Sequence, residues 1–275
     1  MSGTLFLVGT PIGNLGDISP RALAALSECD FIAAEDTRVT LKLLNHFEIK
    51  KPMISYFEHN RRQKGEYIAE RILNGENCAL VTDAGMPAVS DPGEDLVALC
   101  HEMNIPVSVV PGPSAFVAAI ALSGLPVGRF TFEGFLSVSK VSRREHLEEV
   151  KKEKRTMVFY EAPHKLSATL SDMYAYFGDR KIAIVREITK IHEEVIRTTL
   201  KEAAEKYQEE SLKGEIVLVI EGYEEKAEDL PTLEDAIIKA KQYIEEGMSA
   251  SFAAKQAAKD TGIKKGDIYK ALQEE

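Results

Sequence analysis

The sequence Thr4-Leu5-Phe6-Leu7-Val8-Gly9-Thr10-Pro11-Ile12-Gly13-Asn14 begins with a short apolar run and continues into a loop rich in Gly and Pro. A continuous apolar run of this length is typical of a strand buried in a parallel sheet. Ser19-Pro20 then supplies the N-cap and the first-turn proline of a helix. Strand-like and helix-like stretches go on alternating along the chain, and this order is characteristic of βαβ units. The sequence therefore predicts an α/β protein.

The alternation predicts two domains, each with a mixed or mostly parallel sheet flanked by helices, and a small C-terminal helical appendage. We place the N-terminal domain at 1–117, the C-terminal domain at 118–223, a linker at 224–232 and a helix-turn-helix-like appendage at 233–275. An ordinary packed helix pair is the alternative for the appendage. The predicted strands are Thr4–Val8, Phe31–Ala34, Met53–Tyr56, Ala79–Thr82, Val107–Val110, Met157–Tyr160, Ile182–Val185, Glu194–Thr198 and Ile216–Ile220.

Composition excludes several classes of protein. The 275 residues are 44% hydrophobic and carry a net charge of -10, and no apolar run approaches the roughly 20 residues of a membrane span. No secretory signal is apparent, so we expect a cytoplasmic protein that does not enter a membrane. Cys29, Cys78 and Cys100 are widely spaced and predict buried thiols rather than disulfides. The histidine spacing supports no protein-bound metal.

Gly- and Pro-rich loops follow three of the predicted strands in the first half of the chain, at 9–14, 83–93 and 111–114. In an open parallel sheet, ligands bind at the carboxyl ends of the strands, where such loops let backbone approach a ligand closely. The alternative for any single loop is simple turn formation. Neither a P-loop nor the G-x-G-x-x-G fingerprint is present, which disfavours ATP and dinucleotide chemistry.

Several blocks together resemble the tetrapyrrole-methylase-type family of S-adenosylmethionine-dependent methyltransferases, and within it the branch that methylates small-subunit ribosomal RNA. The blocks are 8–18, Ala34-Glu35-Asp36-Thr37-Arg38, 83–93, Ser123-Gly124-Leu125-Pro126, 160–165 and Arg186-Glu187-Ile188-Thr189-Lys190. Met86 stands where this family more often has threonine. The resemblance implies a homodimer that 2′-O-methylates a cytidine in the decoding centre of 16S ribosomal RNA within the 30S subunit.

The resemblance also implies a cleft for S-adenosylmethionine between the two domains. The residues that it places against the cofactor come from the loops and from the second half of the chain: Pro11, Asp83, Gly85, Pro87, Val89, Ser114, Ala115, Tyr160, Glu215 and Ile216. A ribose hydroxyl is a poor nucleophile, so a neighbouring group that accepts its proton would help. The candidates for this catalytic role are Glu35, Asp36, Glu161, Glu187 and Lys190.

The positive charge of this acidic chain is clustered, as phosphate contacts require. We interpret seven side chains as RNA-binding: Arg38, Arg61, Arg62, Lys140, Arg143, Arg144 and Arg186. Arg61, Arg62 and Lys64 are expected in one loop. The alternatives are local ion pairs at 36–38 and 186–187 and a solvated charged helix at 138–155.

Two other functions stay open at this stage. One is methylation of a small molecule such as a tetrapyrrole by an enzyme of the same fold, because fold alone does not determine function. The other is a non-catalytic RNA-binding factor of ribosome assembly. The basic helical tail favours RNA over a small molecule, and the intact Gly/Pro loops favour an enzyme over a factor without catalysis.

Overall fold

The computed structural model describes residues 2–225 and 231–274. Contacts divide the chain into two compact units, Met1–Tyr223 and Glu224–Glu275. Residues 226–230 of the predicted linker lie outside the described part. Among the described residues, no helix is long and apolar enough to cross a membrane.

The first sheet contains β1 (Leu5–Val8), β2 (Phe31–Ala34), β3 (Met53–Ser55), β4 (Cys78–Val81) and β5 (Val107–Val110). Its order is β3-β2-β4-β1-β5, and the paired strands are parallel. The helices are α1 (Pro20–Glu28), α2 (Thr37–His46), α3 (Arg61–Leu73) and α4 (Gly93–Glu102). Side chains of α1 and α2 pack on one face, and those of α3 and α4 pack on the other. Burial on both faces explains why β2 and β4 are apolar at every position.

The second sheet contains β6 (Phe130–Phe135), β7 (Thr156–Glu161), β8 (Lys181–Arg186), β9 (Glu194–Thr199) and β10 (Ile216–Ile220). Its order is β6-β7-β10-β8-β9. The helix crossover between β6 and β7 makes that pair parallel, whereas β10 pairs antiparallel with β7 and β8, and β8 with β9. The sheet is therefore mixed. Its helices are α5 (Ala115–Ser123), α6 (Lys140–Val150), α7 (Leu166–Phe177) and α8 (Leu200–Glu209).

Helix α5 covers one face of the second sheet, where Ile120 packs with Val158, Val185 and Val217. Side chains of α6, α7 and α8 cover the other face. The first three residues of α5 precede the predicted boundary at 117/118, although the helix belongs by its packing to the second sheet. The boundary itself stays a prediction.

The appendage consists of α9 (Leu233–Glu245), α10 (Ala250–Thr261) and α11 (Lys265–Glu274). Thr232 and Asp235 form a capping box at the start of α9. Gly262, with φ of +74°, ends α10 in the left-handed conformation that glycine adopts without strain. The core is built largely from alanines of α9 and α10 around Ile268. A helix, a glycine turn and a second helix thus follow α9, and the helix-turn-helix-like character of the appendage stays a prediction.

All nine predicted strands are present, β6 is a further strand that the sequence analysis did not include, and the three cysteines are buried as expected. Burial raises the pKa of each of these thiols, which leaves them protonated and unreactive. One local prediction is wrong. Arg61, Arg62 and Lys64 lie in the first turns of α3 rather than in a loop. Residues 61–64 are all polar and mostly exposed, so they carry no apolar periodicity that would mark a helix.

Candidate active site

A cavity of about 400 Å³ lies between the two sheets of the first unit. One wall comes from the loops that follow β1, β2, β4 and β5, at the carboxyl ends of the parallel strands. The other comes from the ends of β6, β7 and β8 and the start of β10. The lining residues are Ile12, Glu35, Thr82, Ala84, Gly85, Met86, Val89, Ser90, Asp91, Ser114, Ala115, Phe135, Tyr160, Glu161, Ala162, Pro163, Ile188, Glu215, Ile216 and Val217.

Backbone contacts hold the loops of the first wall together. Thr10 and Gly85 exchange two backbone hydrogen bonds, with N···O distances of 2.9 and 3.1 Å. Gly9 and Gly112 touch so closely that a Cβ on Gly9 would lie 2.6 Å from the Gly112 Cα. The Gly112 amide donates to the Met86 sulfur at 3.2 Å. Met86 therefore packs against the crossing of the two glycine loops.

Asp91 fixes the conformation of the loop after β4. Its carboxylate accepts hydrogen bonds from the amides of Ala88, Val89 and Gly93 at 3.0, 3.2 and 2.8 Å. Ala88 and Ser90 have φ of 65° and 66°, a left-handed conformation that costs energy for residues other than glycine. Burial raises the pKa of Asp91 although these three donors oppose the shift. The carboxylate thus holds a strained backbone at the cavity wall.

A second strained segment follows β8, where Glu187 and Thr189 have φ of 51° and 67°. The side chain of Glu187 accepts from the Glu215 amide at 3.0 Å and from Lys190 Nζ at 3.0 Å. This arrangement presents Ile188 to the cavity. Backbone strain concentrated around one cavity is typical of a functional site.

The charge of the lining is one-sided. Four carboxylates line the cavity, those of Glu35, Asp91, Glu161 and Glu215, and no Lys, Arg or His is among the described lining residues. The remaining wall is apolar or aromatic, with Ile12, Ile188 and Tyr160 among its members. Glu215 pairs with Lys190 at 3.3 Å, but the lining as a whole is acidic and favours a cation over a phosphate.

Seven of the ten residues predicted at the cofactor lie on the cavity wall: Gly85, Val89, Ser114, Ala115, Tyr160, Glu215 and Ile216. Pro11, Asp83 and Pro87 belong to the same loops but lie outside the lining. Asp83 Oδ1 accepts from the Asp36 amide at 3.1 Å and so connects the loops after β2 and β4. Burial and the neighbouring Glu35 raise the pKa of Asp83.

The structure separates the five catalytic candidates. Glu35 and Glu161 line the cavity, whereas Asp36, Glu187 and Lys190 do not. The Arg38 side chain holds the pKa of Asp36 at about 2. Burial lowers the pKa of Lys190, but its hydrogen bond to Glu187 and the charge of Glu215 outweigh burial and raise it overall. A carboxylate of very low pKa and a lysine of raised pKa are both poor proton acceptors at neutral pH.

Glu35 and Glu161 differ in how their oxygens are used. Glu161 is buried, one oxygen accepts from the Ala162 amide and the other from the Thr169 hydroxyl. In Glu35, Oε2 accepts from the Thr82 hydroxyl at 2.5 Å. Oε1 of Glu35 has no hydrogen-bond partner within the described part of the chain. Glu35 therefore brings an available carboxylate oxygen to the cavity.

The predicted RNA-binding residues also fall into two groups. The Arg143 side chain is only 11% exposed and binds Asp172 at 2.6 Å and Thr169 at 3.0 Å. Arg186 is likewise held by Glu194 and the Lys213 carbonyl. Both guanidinium groups are held by partners within the chain, and no local sequence pattern revealed these partners. The exposed group contains Arg38, Arg61, Arg62, Lys140 and Arg144, of which Arg38 pairs with Asp36, and Arg61 with Asp95 and Glu58.

Sequence reasoning did not assign a role to several lining residues, including Asp91, Phe135 and Ile188. Asp91 precedes Pro92-Gly93 at a helix start, a pattern that marks backbone capping. A glycine inside the alternating run 130–135 marks a bulge that reorients Phe135. No local signal identifies Ile188. The described residues contain no cluster of three or more His, Cys, Asp or Glu side chains able to hold a metal.

Comparison with known proteins agrees with this architecture. The profile of the family Tetrapyrrole (Corrin/Porphyrin) Methylases matches residues 4–204. The chain is 46% identical over 276 residues to Ribosomal RNA small subunit methyltransferase I of Halalkalibacterium halodurans, a match that covers 99% of this chain and 96% of that protein. The protein of the same name from Thermotoga maritima is 47% identical and aligns along 100% of its own length with 81% of this chain.

A solved structure shares the fold. Uroporphyrin-III C-methyl transferase from Thermus thermophilus, complexed with S-adenyl homocysteine, superposes with a TM-score of 0.56 at 16% identity and covers 80% of this chain and 97% of that one. Since the profile match spans most of the chain and the identities to full-length relatives exceed 40%, the chain belongs to the tetrapyrrole methylase family and, within it, to the ribosomal RNA small subunit methyltransferase I family.

Proposed function

We propose that this protein is an S-adenosylmethionine-dependent methyltransferase that methylates the 2′-hydroxyl of a cytidine in the decoding centre of 16S ribosomal RNA. The observation that carries the proposal is the cavity between the sheets, which combines four carboxylates with an apolar wall and no basic lining residue. Such a cavity suits a cationic methyl donor. The relatives are named as methyltransferases of small-subunit ribosomal RNA, and these names support ribosomal RNA as the substrate.

The residues present fit S-adenosylmethionine. Its sulfonium and amino groups are positive and match the carboxylates of the lining, whereas its adenine matches the apolar and aromatic wall. We assign the cofactor to Gly85, Val89, Ser114, Ala115, Tyr160, Glu215 and Ile216. When bound, the cofactor supplies an electrophilic methyl group. The strained loops at 88–90 and 187–189 then fix the shape of the cavity in which donor and acceptor meet.

We assign to Glu35 the role of accepting the proton of the ribose hydroxyl. This carboxylate lines the cavity, its Oε2 is held by Thr82, and its Oε1 is available. Acceptance of the proton as the new bond forms makes the hydroxyl a better nucleophile. Glu161 instead stabilises the wall through Thr169, which also contacts Arg143.

We assign phosphate binding to the exposed cations outside the cavity. The Arg38 side chain is 87% exposed and lies three residues after Glu35, which lines the cavity. Arg62, Lys140 and Arg144 have exposed side chains on helices α3 and α6. The net charge of -10 is compatible with RNA because phosphate contacts depend on local charge. The assembled 30S subunit as substrate, a homodimer and a cytoplasmic location complete the proposal.

The experiment uses the purified protein, tritiated S-adenosylmethionine, and either 30S subunits or free 16S RNA. We expect label in the subunit, stronger than in free RNA, and a 2′-O-methylcytidine when the labelled position is mapped. Label on a base, or no label on either the 30S subunit or free 16S RNA, would contradict the proposed reaction. Titration calorimetry with S-adenosylmethionine tests cofactor binding separately. Absence of binding would rule out a methyltransferase that uses this cofactor.

A further inference from the structure

Phe135 combines two properties that seldom occur together. It lines the cavity, and yet 59% of its surface is exposed. Its ring centroid lies 5.3 Å from that of Tyr160, with an interplanar angle of 52°. Phe132, three residues earlier in β6, is instead packed against Phe116 in a stacked arrangement, with 4.5 Å between the ring centroids. Phe132 thus packs into the interior, whereas Phe135 leaves its ring exposed at the cavity.

A bulge produces this placement. In a regular strand, residues 132 and 135 would point to opposite faces of the sheet. The register of β6 against β7 shifts between Phe132 and Gly134, and Gly134 has φ of +64°. The extra residue returns Phe135 to the side of Phe132, so that both rings contact Tyr160. Bulges next to active sites commonly reorient a side chain in this way.

The surroundings of Phe135 match the two parts of a nucleotide. The ring offers an apolar π face, as base stacking requires, and it shares the cavity wall with four carboxylates. Five residues further along the chain α6 begins, and its first turns carry the exposed Lys140 and Arg144. Proteins that recognise single nucleotides in RNA combine an aromatic platform for the base with cations for the phosphates.

We propose that Phe135 is the stacking platform for the base of the target nucleotide, and thereby positions its 2′-hydroxyl over the cavity. This inference rests on the proposed function, because it presupposes an RNA substrate. A ribose hydroxyl inside folded RNA reaches an enclosed methyl donor only when its nucleotide is turned outward, which exposes the base. Stacking on the exposed Phe135 ring would replace the stacking that the base loses when it leaves the RNA. The adenine of the cofactor is the competing occupant, and the more enclosed Tyr160 is better placed for it.

The test compares F135A, F135L and F135Y with the wild type and with V138A as matched control. Val138 is 80% exposed and lies outside the cavity lining. Steady-state methylation of 30S subunits gives kcat and KM for the subunit, and calorimetry gives the Kd for S-adenosylmethionine. Stacking on an aromatic ring predicts that F135A and F135L each lose about 10- to 100-fold in kcat/KM for the subunit. F135Y, V138A and the Kd for the cofactor should stay within about threefold of the wild type.

Three results would overturn the assignment. F135L with wild-type activity would show that the ring acts through apolar volume rather than stacking. An F135A defect confined to the Kd for S-adenosylmethionine would assign the ring to the cofactor. Wild-type kinetics for F135A would leave the ring without a role. If the wild type itself does not label 30S subunits, the proposed function fails and this inference fails with it, an outcome distinct from an active wild type with an indifferent Phe135.

Discussion

The loops that contain Gly9 and Gly112 cross in close contact at the cavity wall. We therefore predict that one added methyl group, in G9A, lowers stability, cofactor binding and activity. In G9A the new Cβ would lie 2.6 Å from the Gly112 Cα and 2.7 Å from both the Gly112 amide nitrogen and the Met86 sulfur. The backbone of Gly9 is not in the left-handed region, so alanine itself introduces no dihedral strain. The whole effect must come from contact between the loops.

The magnitude follows from the geometry. Ordinary contacts begin near 3.4 Å, so the loops must separate by about 0.8 Å. Overpacking of this kind costs about 1–3 kcal/mol in the free energy of unfolding. For a protein of this size each kcal/mol corresponds to about 2–4 °C in Tm, which gives a decrease of about 2–12 °C. The same displacement moves Ser114 at the cavity wall, and misplacement of about 1 Å costs up to about 100-fold in rate.

Calorimetric melting, the Kd for S-adenosylmethionine and kcat on 30S subunits together measure the effect. G128A is the matched control, because a Cβ on Gly128 meets nothing within 4 Å and its backbone is also outside the left-handed region. We expect wild-type behaviour from G128A and losses in all three quantities from G9A. A G9A protein that melts and binds like the wild type would refute the close loop crossing as the support of the cavity.

Three further predictions concern charged side chains. E35Q should lower kcat about 100-fold or more while the Kd for S-adenosylmethionine stays unchanged, since the amide cannot accept the proton; unaltered kcat would assign the proton elsewhere. R143A should lose about 1–3 kcal/mol of stability in urea unfolding because it removes buried hydrogen bonds, whereas R144A should keep stability and weaken RNA binding; the reverse pattern would contradict the placement of these two arginines. Because burial raises the pKa of Asp91, its protonated form favours the folded state, a contribution that is full below about pH 4 and is lost as the pH rises through the raised value. Unfolding titrations carried upward from pH 4 should therefore show a shallower decline for D91N than for the wild type, and parallel curves would argue against this role.

The parts of the fold that the sequence predicts are those encoded by local patterns. Three of the predicted strands, Phe31–Ala34, Val107–Val110 and Ile216–Ile220, agree with the structure to the residue. Each is a short run, mostly apolar, bounded by turn residues. The first wall of the cavity was also predictable, because Gly and Pro at the carboxyl ends of parallel strands indicate a ligand-binding edge.

The second wall was not predictable on the same grounds, since its geometry depends on backbone features that residue type does not reveal. Phe135 faces the cavity because of a register shift, and Ile188 does so because Glu187 and Thr189 adopt left-handed backbone. Neither conformation is favoured by the residues that adopt it. The partners of Arg143 are 26 and 29 residues away, so no local pattern indicated that its guanidinium is used inside the fold.

The distribution of charge resolves the apparent conflict between an acidic protein and an RNA substrate. The carboxylates that line the cavity favour a positively charged cofactor and would repel a phosphate that entered. The exposed cations are not among the lining residues and lie on helices, Arg38 on α2, Arg62 on α3, and Lys140 and Arg144 on α6. RNA phosphates are therefore favoured around the mouth and disfavoured within it. The net charge of -10 therefore does not by itself oppose an RNA substrate.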